Sequence, residues 1–60
     1  MDKFLTVKEV SDVLRLGKTN TYKLFQRGDF PKVLIGRKLL VKESELDKYL
    51  EKYSGEIISL

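Results

Sequence analysis

Lys18, Thr19, Asn20, Tyr22 and Lys23 fall within one short stretch, KTNTYK, and Arg37 and Lys38 form a second cationic pair inside VLIGRKLLV. These side chains recognise partners rather than break bonds. An ammonium or guanidinium can meet a phosphate or the acceptors of guanine, a carboxamide can pair with adenine, a Thr hydroxyl serves either, and a Tyr hydroxyl suits a phosphate. Arg27, four residues beyond the first stretch, extends its basic character and stands with these residues as a candidate contact for the same partner. The chain has no His and no Cys, which removes the commonest general base, thiolate nucleophiles and the usual zinc ligands. Glu43, Glu45 and Asp47 stand at the expected start of a helix, where carboxylates favour the helix dipole. No catalytic, cofactor-binding or metal-binding residue is therefore expected, and the chain does not read as an enzyme.

The charges are segregated along the chain, although the net charge is only +3. Residues 1–17 balance, with Lys3, Lys8 and Arg15 against Asp2, Glu9 and Asp12. Residues 18–42 set Lys18, Lys23, Arg27, Lys32, Arg37, Lys38 and Lys42 against Asp29, a net of +6. The remainder sets Lys48 and Lys52 against Glu43, Glu45, Asp47, Glu51 and Glu56, a net of −3. A basic middle between neutral and acidic parts implies an anionic partner such as nucleic acid. A solvated face with surplus Lys is the plainer alternative.

Elements to position these residues can be read from periodicity. Thr6 with Glu9 forms a capping box, and Leu5 before the cap can pack on Val10 as a hydrophobic staple. Val7, Val10, Val13 and Leu14 then make one apolar stripe, predicting a helix from about Val7 to Leu14. After the Gly-containing break at 15–18, Thr21, Leu24 and Phe25 share the buried face of a second helix, with Gly17 and Gly28 as its caps. Thr19, Lys23 and Gln26 then point away from that face, flanked by Asn20, Tyr22 and Arg27. Short helix, turn and second helix is the outline of a helix-turn-helix. Gly17-Lys18-Thr19 ends like a phosphate-binding loop, but Asp12 stands where that motif needs its first Gly.

Pro31 ends the helical part. A three-residue loop, Gly36 to Lys38, puts Val33, Ile35, Leu39 and Val41 on one face of a hairpin, with Leu34 and Leu40 on the other. Leu46, Tyr49, Leu50 and Tyr53 predict a last helix beginning between Lys42 and Ser44 and stopping near Gly55. The expected fold is thus mostly α with a small β-hairpin, a winged helix-turn-helix in the order helix, helix, two-stranded wing, helix. It forms a single domain, 1–60, with an ordered core at about 4–53 and a tail at 54–60. No apolar run approaches the roughly 20 residues of a membrane span, and no signal-peptide core is visible in MDKFLTVKEV. The expected location is cytoplasmic, nucleoid-associated when bound.

LTVKEVSDVLRLG, TYKLFQRGDFP and VLIGRKLLVKESELDKYLEKY resemble the small excisionase-family proteins, whose winged helix-turn-helix is related to the DNA-binding head of MerR-type regulators. The resemblance spans about Phe4 to Tyr53. It implies duplex DNA as partner, the second helix in the major groove, and the hairpin as a wing on the backbone or minor groove. Carried over, Lys18, Thr19, Asn20, Tyr22 and Lys23 fall on the recognition helix, and Arg37 and Lys38 on the wing. The implied role is an excisionase-like directionality factor of a phage or mobile element, with an integrase or a second copy on adjacent sites as further partner. The alternatives are a small MerR-like transcriptional regulator, and a protein-interaction module using the wing Leu residues and the tail. No membrane or small-molecule ligand is expected. Family members often carry a basic or polar residue in place of Leu34 and Leu40, and Pro in place of Lys42. Those two Leu could be covered by Ile57, Ile58 and Leu60, by a neighbouring copy, or stand singly exposed.

Overall fold

Thr6 ends a strand and begins a helix. In the computed structural model, which describes residues 3–60, β1 (Phe4–Thr6) runs directly into α1 (Val7–Leu14). The extended Thr6 backbone (φ −83°, ψ 170°) serves both elements. Its hydroxyl accepts from the Glu9 N–H at 3.2 Å, and the Glu9 carboxylate accepts from the Thr6 N–H at 3.0 Å. The expected capping box is therefore formed, and the Thr6 N–H holds the Glu9 carboxyl below its usual range.

Val7 and Val10 of α1 are buried as expected, but Val13 is 65% exposed and Ser11 takes its inward place. At 3.6 residues per turn, Ser11 lies nearer the centre of the face made by Val7, Val10 and Leu14 than Val13 does. The hydroxyl can be buried because it donates to the Lys8 carbonyl at 2.7 Å. The helix closes on Arg15 in the left-handed region (φ 56°), with Leu16 N–H returning to the Ser11 carbonyl at 3.0 Å.

Helix α2 (Lys18–Phe25) starts from Gly17 as N-cap, and Thr21, Leu24 and Phe25 are its buried face, as the periodicity predicts. Its C-cap is Gln26 rather than the expected Gly28. The chain leaves through a turn in which Phe30 N–H bonds the Arg27 carbonyl at 3.2 Å. That turn brings the buried Phe30 ring to 4.6 Å from Phe25, so aromatic packing rather than a Gly cap ends this helix.

The sheet has three strands, in the order β1-β3-β2, with β2 at Lys32–Ile35 and β3 at Lys38–Lys42. The additional strand is β1, in which Leu5 and Thr6 read from sequence only as staple and cap. It pairs antiparallel with β3, Leu5 opposite Val41.

The hairpin register also differs from expectation. Ile35 pairs with Lys38 and Leu34 with Leu39, leaving a two-residue loop, Gly36-Arg37. Gly36 has φ 60° and Arg37 does not, the sign pattern of a type II′ turn, whose twist suits a two-residue hairpin. Leu34, Leu39 and Val41 consequently share a face with Leu5, while Val33, Ile35, Lys38 and Leu40 share the other. The pattern misled because both faces of β2 carry apolar residues and the turn set the register.

Helix α3 (Glu43–Lys52) packs against β3, burying Leu46 and Tyr49 with Leu50 and Tyr53 half-buried, as the spacing predicts. The core joins Leu5, Val7, Val10, Leu24, Phe25, Phe30, Val41, Leu46 and Tyr49. Gly55 (φ 82°) reverses the chain after α3. Ile58 then packs on the core and, with Leu60, lines an apolar cavity of about 240 Å³ alongside Leu14, Leu16, Leu24 and Leu50. The tail thus lies over the helices and does not cover the wing. Leu34 stays 63% exposed, while Leu40 is half-buried between its neighbours in the sheet.

Candidate nucleic-acid interface

The two faces of α2 are chemically opposite. Thr21 and Phe25 are fully buried and Leu24 nearly so, which fixes the rotation of the helix about its axis. The Thr21 hydroxyl donates to the Gly17 carbonyl at 3.0 Å, so the polar atom on the buried face is satisfied within the first turn. With rotation fixed, Lys18, Thr19, Asn20, Tyr22 and Lys23 all face solvent. Tyr22, at 47% exposed, is a large aromatic left outside a small core. No acidic side chain stands between Asp12 and Asp29, so nothing on α2 neutralises its cations. Gly17 offers no side-chain oxygen to cap the helix, leaving the positive end of its dipole without a counter-charge from the cap.

The wing presents Arg37 within its turn and Lys38 as the first residue of β3, both exposed. Neighbours in sequence, they belong to different local structures. Arg37 sits on the loop, whereas Lys38 is held in register opposite Ile35, on the face shared with Leu40. Helix and wing are thus two exposed cationic surfaces on one small body. The core residues Leu24, Phe25 and Val41 join the elements that carry them.

Arg27 is placed differently from the other seven candidates. It is half-buried beyond the end of α2, and all three guanidinium nitrogens are engaged within the chain. Nε donates to Asp29 Oδ1 at 3.2 Å, Nη1 to the Ser59 carbonyl at 2.9 Å, and Nη2 to the Tyr53 hydroxyl at 3.3 Å. Its guanidinium carbon also lies 5.5 Å from the centre of the Tyr53 ring.

Sequence reasoning missed the group that engages Arg27. The Asp29 carboxylate accepts from the Tyr53 hydroxyl on one oxygen, and from Arg27 and the Tyr49 hydroxyl, the latter at 3.1 Å, on the other. Tyr53 first, then Arg27, hold the Asp29 carboxyl far below the usual carboxylate range. The Arg27 guanidinium is pushed up in turn, chiefly by its bond to Asp29. Burial, and then the bond to Asp29, push the Tyr49 phenol up to about 12. One signal was present in the sequence: Asp29 is the single acid of the +6 segment, and an isolated counter-charge invites the question of what it serves.

Among the described residues, no cluster of His, Cys, Asp or Glu is arranged to hold a metal ion. Among the same residues, no helix is long and apolar enough to cross a membrane. The arrangement can bind an anionic surface by hydrogen bonds and charge. The family model for the helix-turn-helix domain matches residues 4–54 of this chain. No curated protein and no solved structure matches it.

Proposed function

The chain belongs to the helix-turn-helix domain family, a DNA-binding class, and from that premise we propose that it reads duplex DNA with α2 in the major groove and the wing on the backbone or minor groove. The observation that carries the proposal is the outward face of α2: Lys18, Thr19, Asn20, Tyr22 and Lys23, exposed, without an acid among them, on a helix whose opposite face is locked into the core. Lys18 and Thr19 lead the helix beside Asn20, the residue suited to adenine, while Lys23, Arg37 and Lys38 hold phosphates. The role is that of an excisionase-like directionality factor in the cytoplasm, shaping DNA for an integrase, and the chain performs no chemistry of its own.

A salt titration of duplex binding tests the reading. With about four phosphates neutralised, log K falls against log salt with a slope of about −3.6. Binding with no salt dependence would rule the reading out. An integrase gene beside the gene for this chain supports the excision role, and its absence favours the small MerR-like regulator built on the same DNA contacts. One observation supports a protein partner in addition: Leu34 and Ile35 on the wing are 63% and 58% exposed. An integrase or a second copy on an adjacent site is the partner proposed for them.

A further inference from the structure

We infer that Arg27 and Asp29 are positioning residues, which orient the recognition helix by tying its C-terminal end to α3 and to the tail and do not themselves hold DNA. The inference rests on the proposed DNA-binding role of α2. It begins from a mechanical fact: α2 packs chiefly against α1, and α3 chiefly against β3. The end of α2 is connected to α3 by two routes. One is the aromatic series Phe25, Phe30, Tyr49 and Tyr53, with successive ring centres 4.6, 5.1 and 5.0 Å apart. The other is the polar hub in which Asp29 accepts from Arg27, Tyr49 and Tyr53.

Arg27 reaches a third element as well, because Nη1 holds the Ser59 carbonyl at 2.9 Å. That bond holds the tail where Ile58 and Leu60 line an apolar cavity with Leu14, Leu16, Leu24 and Leu50. The cavity thus places the tail beside residues of α1, α2 and α3, and Arg27 is its polar anchor. A guanidinium that already gives one N–H each from Nε, Nη1 and Nη2 to partners inside the chain keeps only two of its five donors for a phosphate, and turning it toward DNA would break those bonds. On a helix of only eight residues, a small rotation at one end moves Asn20 and Lys18 at the other.

The test compares two duplexes, one carrying the DNA that flanks this chain's own gene and one of random sequence, across a salt series. Arg27→Lys keeps the charge and loses the fork. Asp29→Asn keeps the shape and removes a negative charge from the basic segment, which by charge alone tightens binding. The expected result for both is a specific-to-random affinity ratio lowered by about tenfold, comparable to one misplaced base contact, with the salt slope unchanged. Ile58→Ala, which loosens the tail without touching a polar group, shifts the ratio in the same direction. Amide exchange across α2 reports whether each variant is folded, and Tyr53→Phe, which removes a single hydroxyl, replaces any variant that is not.

Three results overturn the inference. One is Arg27→Lys binding like the parent while Arg27→Ala makes the slope shallower by about 0.9, the signature of a direct phosphate contact. Another is tighter binding of both duplexes by Asp29→Asn with the ratio unchanged. A parent chain that binds neither duplex overturns the proposed function and this inference with it, and that is seen before any variant is made.

Discussion

Asn20 and Lys23 lie on the same exposed face of α2, yet their chemistry suits them to different contacts. A carboxamide can satisfy adenine in two places at once, whereas an ammonium is a point charge that any phosphate satisfies. Asn20→Ala is expected to change which sequence is preferred, costing about 1–3 kcal/mol on the best site and little on random DNA. Lys23→Ala and Arg37→Ala are expected to weaken all duplexes by similar factors, each making the salt slope shallower by about 0.9. Competition binding with a randomised pool separates the two patterns, and the reverse assignment would overturn these roles. The exposed face that Asn20 and Lys23 occupy was legible from spacing alone. The commitment of Arg27 was not, because its partners Tyr53 and Ser59 lie 26 and 32 residues away in sequence.

At the level of elements, the helices were easier to read than the hairpin. Each helix declares itself within one or two turns, through a cap and a stripe that involve residues close in sequence. The failures were single positions, such as Val13, where a satisfied Ser11 could take the inward place. A strand register has no such local signature when both faces are partly apolar, and Gly36 decided it through its positive φ. A Cβ at Gly36 would meet nothing within 4 Å, so the cost of adding one is conformational and not steric crowding from neighbours. Gly36→Ala is expected to destabilise the fold by about 1–2 kcal/mol, measured by urea unfolding. D-alanine at the same position, introduced by chemical synthesis, is expected to restore stability because its mirror preference matches the turn. Equal loss from both would mean that space, not backbone conformation, is limiting.

For the whole molecule, the hub around Asp29 makes stability depend on pH from both sides. The folded chain holds the Asp29 carboxyl below its usual range, so that contribution is present at neutral pH and is lost as pH falls beneath the ordinary carboxylate range. Tyr49 is pushed up to about 12, so its contribution is complete below the usual phenol range and is lost as pH rises toward that value. Unfolding followed against pH is expected to show a neutral plateau with a fall at each end. Asp29→Asn should flatten the acid limb and Tyr49→Phe the alkaline one. Unchanged limbs in these variants would show that other groups control both.

The sequence by itself determined the three helices, most of the faces they bury, the segregation of charge and the exposed chemistry of α2. All of these depend on periodicity and residue type over a few turns, which neighbouring residues specify. Tertiary structure alone decided the third strand, the two-residue wing turn, the route of the tail over the helices and the engagement of Arg27 by Asp29, Tyr53 and Ser59. Apart from the wing turn, which Gly36 decides, and the Arg27–Asp29 contact, these join segments far apart in the chain. Such distant partners become neighbours only once the core has closed, so no local pattern could announce them.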